Sequence, residues 1–107
     1  ILPRALRLGI RAARILLEAA PEGIDVEGLR RDLAGVEGVS DVHDLHVWTI
    51  TSGVDAMSCH LVVDEMSQGP TLLRQASGLA KKDFGIDHVT IQIEDEASRA
   101  EEVTLHV

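Results

Sequence analysis

The chain has 107 residues, 45% of them hydrophobic, and a formal net charge of −8, which bounds it to one domain with a modest core. Aromatics reach only 2% (Phe84 and Trp48, no Tyr); with the acidic balance this excludes a base-stacking, phosphate-binding surface and hence a nucleic-acid partner. The single cysteine, Cys59, rules out an internal disulfide framework and fits a reducing compartment. The longest run free of Asp, Glu, Lys and Arg is Leu45 to Val54, ten residues, against the ~20 apolar residues a spanning helix requires. No secretory signal is visible, and a start at Ile1 rather than Met reads as a piece of a longer protein.

Residues 1–22 read as a basic helix and linker. Residues 1–20 hold Arg4, Arg7, Arg11 and Arg14 against Glu18 alone, a net charge of +3. The other 87 residues hold 6 basic and 17 acidic side chains, a net of −11. On a helix the arginines form one stripe, with Leu6, Ile10 and Leu17 near another. Two readings fit: a stripe against anionic lipid just cytoplasmic of a membrane span, or a face that is solvated or docked on an acidic neighbour. Pro21-Glu22-Gly23 then breaks the chain.

A domain over residues 23–95 follows. Asp25 is placed as an N-cap with Ile24 and Leu29 as a hydrophobic staple, so the spacing of Val26, Leu29 and Leu33 predicts a helix over about 25–35. Val39 to Thr51 is rich in β-branched residues and reads as a strand, Ser52-Gly53 as a turn, and Asp55 to Val63 as the return strand. Gly69-Pro70 opens a second helix with Leu72, Leu73, Ala76, Leu79, Ala80 and Phe84 as its buried stripe and Gly85 as its stop. Asp87 to Glu94 is a third strand. The order αββαβ predicts an α+β sandwich with helices over one sheet face. Residues 96–107 form an acidic tail, either disordered or an edge strand through Val103–Val107; His106, within it, receives no role.

The chemistry gathers on the strands. His43, His46 and His60 lie around the hairpin, and His88-x-Thr90-x-Gln92-x-Glu94 alternates on the third strand. Imidazoles and carboxylates drawn from separate strands are what a borderline cation such as Zn²⁺ requires. Alternation puts His88, Thr90, Gln92 and Glu94 opposite Val89, Ile91 and Ile93. It puts His60 opposite Met57, Cys59, Leu61 and Val63, so Cys59 is a small core residue and not half of a Cys-His pair. Buried Leu45 and Val47 leave Asp44, His46 and Trp48 on the other face; Trp48 then either anchors a dimer interface or covers the edge of the core. His43 lies near the beginning of the strand, where alternation is not binding, so spacing favours His60 with Glu94 and leaves His43 against His46 open.

Three segments, His43-Asp44-Leu45-His46-Val47-Trp48, Cys59-His60-Leu61-Val62-Val63 and Phe84-Gly85-Ile86-Asp87-His88-Val89-Thr90-Ile91-Gln92-Ile93-Glu94, strongly resemble the C-terminal cytoplasmic domain of cation diffusion facilitator transporters. The likeness is to zinc/cobalt/cadmium-efflux members; Leu16 to Pro21 resembles the connection from their last membrane helix. The resemblance implies an αββαβ metallochaperone-like (ferredoxin-like) sandwich, a V-shaped homodimer below the cell (inner) membrane, and attachment to a transmembrane domain absent from this chain. It also implies His43, His60 and Glu94 as metal ligands, which selects His43 over His46. Asp44, His46, His88 and Gln92 remain candidates for additional metal contacts, although an amide such as Gln92 is a poorer zinc ligand. Zn²⁺ is the expected ion, with Cd²⁺, Co²⁺, Ni²⁺ and Fe²⁺ as competitors for such a donor set.

The expected function is regulatory: metal binding favours a closed dimer and so activates a proton-coupled antiporter of many membrane spans. Binding should weaken as pH falls toward ~6, because metal must displace protons from imidazolium. A small-molecule regulatory domain of similar αββαβ fold is the alternative, while a free-standing metal chaperone would want paired thiols. No Ser/His/Asp spacing, glycine-rich phosphate loop or HExxH points to an enzyme.

Overall fold

A computed structural model describes residues 3–16 and 21–105, with side chains for 3–10 and 21–101. Residues 17–20 of the connecting segment and His106 of the tail lie outside the described residues, as do the side chains of Arg11 and Arg14. The element order is α1 (Arg4–Leu16), α2 (Val26–Ala34), β1 (Val39–Thr51), β2 (Val54–Val63), a 3₁₀ turn (Met66–Gln68), α3 (Gly69–Phe84), β3 (His88–Glu94) and α4 (Glu96–Leu105). No helix among the described residues is long and apolar enough to cross a membrane.

Local chemistry sets the boundaries. The Asp25 carboxylate accepts the Gly28 amide at 3.0 Å and so starts α2. Gly28 is needed for this cap, since a Cβ there would lie 2.4 Å from Asp25 Oδ2. Pro70 sits in the first turn of α3, and Gly85, with φ +68°, stops it in a left-handed conformation.

The sheet order is β1-β2-β3, with β1 antiparallel to β2 and β2 parallel to β3, so α3 is the crossover. Helices α2 and α3 cover one sheet face. Leu29 and Leu33 from α2, and Ala76 and Ala80 from α3, close over Val42, Leu45, Val47, Met57, Cys59 and Leu61. This is the αββαβ sandwich the sequence predicts, and Cys59, 2% exposed, is a core residue as expected. Burial pushes its thiol up to about 11.

The segment after β3 departs from expectation. Glu96–Leu105 is a helix, neither an edge strand nor a disordered tail. Asp95 caps it: its carboxylate accepts the Ser98 amide at 2.8 Å, and that bond, followed by one from the Ser98 side chain, holds the acid below the usual carboxylate range. Glu96 lies favourably in the first turn. Arg99 pairs with Asp41 of β1 at 2.5 Å, and the Ser40 hydroxyl donates to Glu96 at 3.5 Å, tying α4 to the sheet.

Candidate metal centre

The face of the sheet away from α2 and α3 carries the candidate ligands. One cross-strand rung aligns His43 of β1 with His60 of β2 and His60 with Gln92 of β3; Val62 and Glu94 form the rung two residues on. His43 reaches this face because β1 is bulged between His43 and His46, where Asp44 adopts φ +52°. Without the extra residue, His43 would share the core-facing parity of Leu45 and Val47. With it, His43 faces outward beside His60, the ring centroids 4.8 Å apart and the planes at 72°.

Three side chains converge there. His43 Nε2 hydrogen-bonds Glu94 Oε1, and His60 Nδ1 lies 3.4 Å from Glu94 Oε2. One donor atom from each of His43, His60 and Glu94 falls within 4.8 Å of the other two. Glu94 is 2% exposed, and each imidazole 21%. A carboxylate this deeply buried needs compensating donors. Besides the imidazoles, Gln92 Nε2 donates to Glu94 Oε2 at 3.2 Å. The donor set, two imidazoles and one carboxylate from three strands, matches what Zn²⁺ takes while leaving a fourth position open. In a tetrahedron of ligands about 2.0–2.1 Å from the ion, neighbouring ligands lie about 3.4 Å apart, so the His60–Glu94 pair has that spacing.

Asp44 adds a fourth group. Its Oδ2 lies 3.5 Å from His43 Nδ1 and 3.8 Å from His60 Nδ1. His43 thus faces Glu94 with Nε2 and Asp44 with Nδ1, the Asp44 carboxylate standing at ion-pair distance.

The other candidates fall elsewhere. His46 opposes Ser58, beyond the bulge from His43, and lines an open groove with Asp44, Ser58, Cys59, His60, Thr90 and Gln92. His88 stands opposite Ala56 at the far end of β3, six residues and ~20 Å along the strand from Glu94, which separates it from the cluster. Trp48 is partly buried on the outer face opposite Ala56, two residues from Ile50, which is 52% exposed. What sequence reasoning missed is the bulge. Its signal was available: apolar Val42 and Leu45 are three apart, a spacing that unbroken alternation cannot bury on one face.

Residues 21–96 match the family described as cation efflux protein, cytoplasmic domain (ZT_dimer). The chain is 48% identical over 86 residues to the cadmium, cobalt and zinc/H(+)-K(+) antiporter of Bacillus subtilis, covering 78% of this chain and 27% of the antiporter. It is 41% identical over 81 residues to the vacuolar zinc transporter TgZnT of Toxoplasma gondii, covering 76% of this chain and 9% of the transporter. The chain thus spans about a quarter or less of these two relatives. Among solved structures, the metal-bound C-terminal domain of the CzcD transporter from Cuprividus metallidurans superposes with a TM-score of 0.62 at 32% identity, over 66% of this chain and 99% of that domain. On the family match and these likenesses together, the chain belongs to the cytoplasmic-domain family of cation efflux proteins, the cation diffusion facilitators.

Proposed function

We propose that the chain is the metal-sensing and dimerising unit of a divalent-metal efflux transporter, on the cytoplasmic side of its membrane, and that Zn²⁺ is its principal ion. The carrying observation is the convergence of His43, His60 and Glu94 from three strands onto one point, with the carboxylate buried. Names of relatives that include zinc, cadmium and cobalt, and a metal-bound structural neighbour, support the choice of cation. The transmembrane part and its antiport lie outside this chain.

The regulatory logic is electrostatic. Two copies, each of net charge −8, repel across a dimer. Bound divalent charge at His43, His60 and Glu94 offsets part of that repulsion and shifts the population toward a closed pair, which favours transport. Asp44 orients His43, and Gln92 holds Glu94, so the donors are set before the ion arrives.

The test is small-angle scattering with and without Zn²⁺. The native chain is expected to dimerise and compact with the ion, and the His60→Ala/Glu94→Ala variant to stay extended. A double variant that closes like the native chain would sink the ligand assignment. Calorimetric titration with Zn²⁺ beside an amino-acid panel separates this reading from that of a small-molecule sensor, which would bind a member of the panel and ignore the metal.

A further inference from the structure

The outer face of the sheet is unevenly covered along its length. On β3 the outward side chains of His88, Thr90 and Gln92 are exposed, whereas the next one, Glu94, is 2% exposed. On β2 Ser58 and His60 are partly buried, whereas Val62, the next outward residue, is fully buried although it lies outside the helix-covered core. Val62 and Glu94 share one rung with Asp41, which has the outward parity of His43. Helix α4 leaves the sheet directly after Glu94 and packs on β2 and β3, and its Arg99 reaches across to Asp41 at that same rung. The family match ends at residue 96, where α4 begins, so this cover lies beyond the matched domain.

We propose that α4 is the back wall of the metal centre and that Arg99 is a positioning residue, acting through α4 on Glu94. The proposal rests on the reading of His43, His60 and Glu94 as metal ligands. The open groove along His46, His60 and Gln92 leaves the imidazole side of the cluster accessible to an arriving ion, while α4 keeps water from Glu94 on the other side. A carboxylate screened from water attracts a cation more strongly, and one held in place loses less freedom on binding it. The latch is the Arg99–Asp41 pair, seconded by the Ser40 hydroxyl on Glu96 and by the Asp95 cap. Because the wall stands outside the ion's path, it governs how long the ion stays and not how fast it arrives.

Stopped-flow measurement of Zn²⁺ uptake, and of its release to excess chelator, tests this on the 107-residue chain. Arg99→Gln should speed release up to about fivefold, the weight of a part-exposed ion pair, and leave uptake unchanged. Ala100→Pro, at an exposed position inside α4, breaks the helix and should speed release more than about 10-fold. Arg99→Lys keeps a cation opposite Asp41 and should restore slow release, while the metal-free melt of Arg99→Gln stays near that of the native chain. Native release from Ala100→Pro overturns the proposal. So does tighter Zn²⁺ binding by Arg99→Gln, which marks Arg99 as a charge that merely repels the ion. Fast release that Arg99→Lys fails to restore, or a metal-free melt lowered in step with it, removes Arg99 from the positioning role. A native chain that takes up no Zn²⁺ removes the metal-centre reading and this proposal with it, and is told apart from the other failures without any variant.

Discussion

The two faces of the sheet are built from the same strands under different rules. On the inner face Met57, Cys59, Leu61 and Val63 alternate without interruption along β2, and Val89, Ile91 and Ile93 do so along β3. On the outer face the pattern is broken: β1 is bulged at Asp44, the one non-glycine residue with positive φ among the described residues, and that break lies beside the clustered donors. The inner face is specified by volume and exclusion of water, which repeats. The outer face is specified by where three donor atoms must meet, which does not. The helix-covered core lies on one side and the clustered donors on the other, with β1 bent to serve both.

The largest effect that would expose this division is on stability. Leu61→Ala, fully buried, should lower the free energy of unfolding by about 2–5 kcal/mol in urea titrations with chelator present. His46→Ala, exposed on the outer face of β1, should stay within about 1 kcal/mol of the native chain under the same conditions. Equal losses would mean the faces are not separable.

The bulge offers a finer cut. Asp44→Gly keeps the left-handed backbone but removes the carboxylate, so Zn²⁺ affinity by calorimetry should fall roughly 10-fold or more with the metal-free melt little changed. Asp44→Val forces a β-branched residue into that conformation and should cost about 1–2 kcal/mol of stability. If Gly left affinity untouched, Asp44 would have no part in orienting His43.

The inner face can also be probed by pH. Cys59 is held neutral by burial, so its contribution is complete below the unfolded thiol value of 9.0 and is lost as pH rises through about 11. Native stability should therefore decline over that window, and Cys59→Ala should flatten the decline in denaturant titrations run across it.

Much of the inner face was legible in the sequence. Asp25, Pro70 and Gly85 act locally, each through its own backbone or the next turn, and so announce α2 and α3 without tertiary knowledge. Alternation alone placed His60 with Glu94. It did not place His43, because a bulge is an insertion into a pairing, and its position depends on the partner strand as well as on the bulged one. Helix α4 was hidden for a different reason. Its cap, Asp95 with Ser98, sits inside the acidic run Glu94-Asp95-Glu96, and its tether, Arg99 to Asp41, spans most of the domain. The likeness of the HDLHVW segment to a family supplied what spacing could not, namely that His43 and not His46 joins His60.

The rung joining His43, His60 and Gln92 also orders events in time. The hairpin is made first on synthesis and offers two imidazoles, while Glu94 comes 51 residues after His43 and joins them only when β3 has docked beside β2. On the proposed assignment, an incomplete chain would offer a metal two of its three donors, and the finished sheet all three. An ion held there would tie together three strands distant in sequence, a removable cross-link whose presence would certify that the last strand is in place.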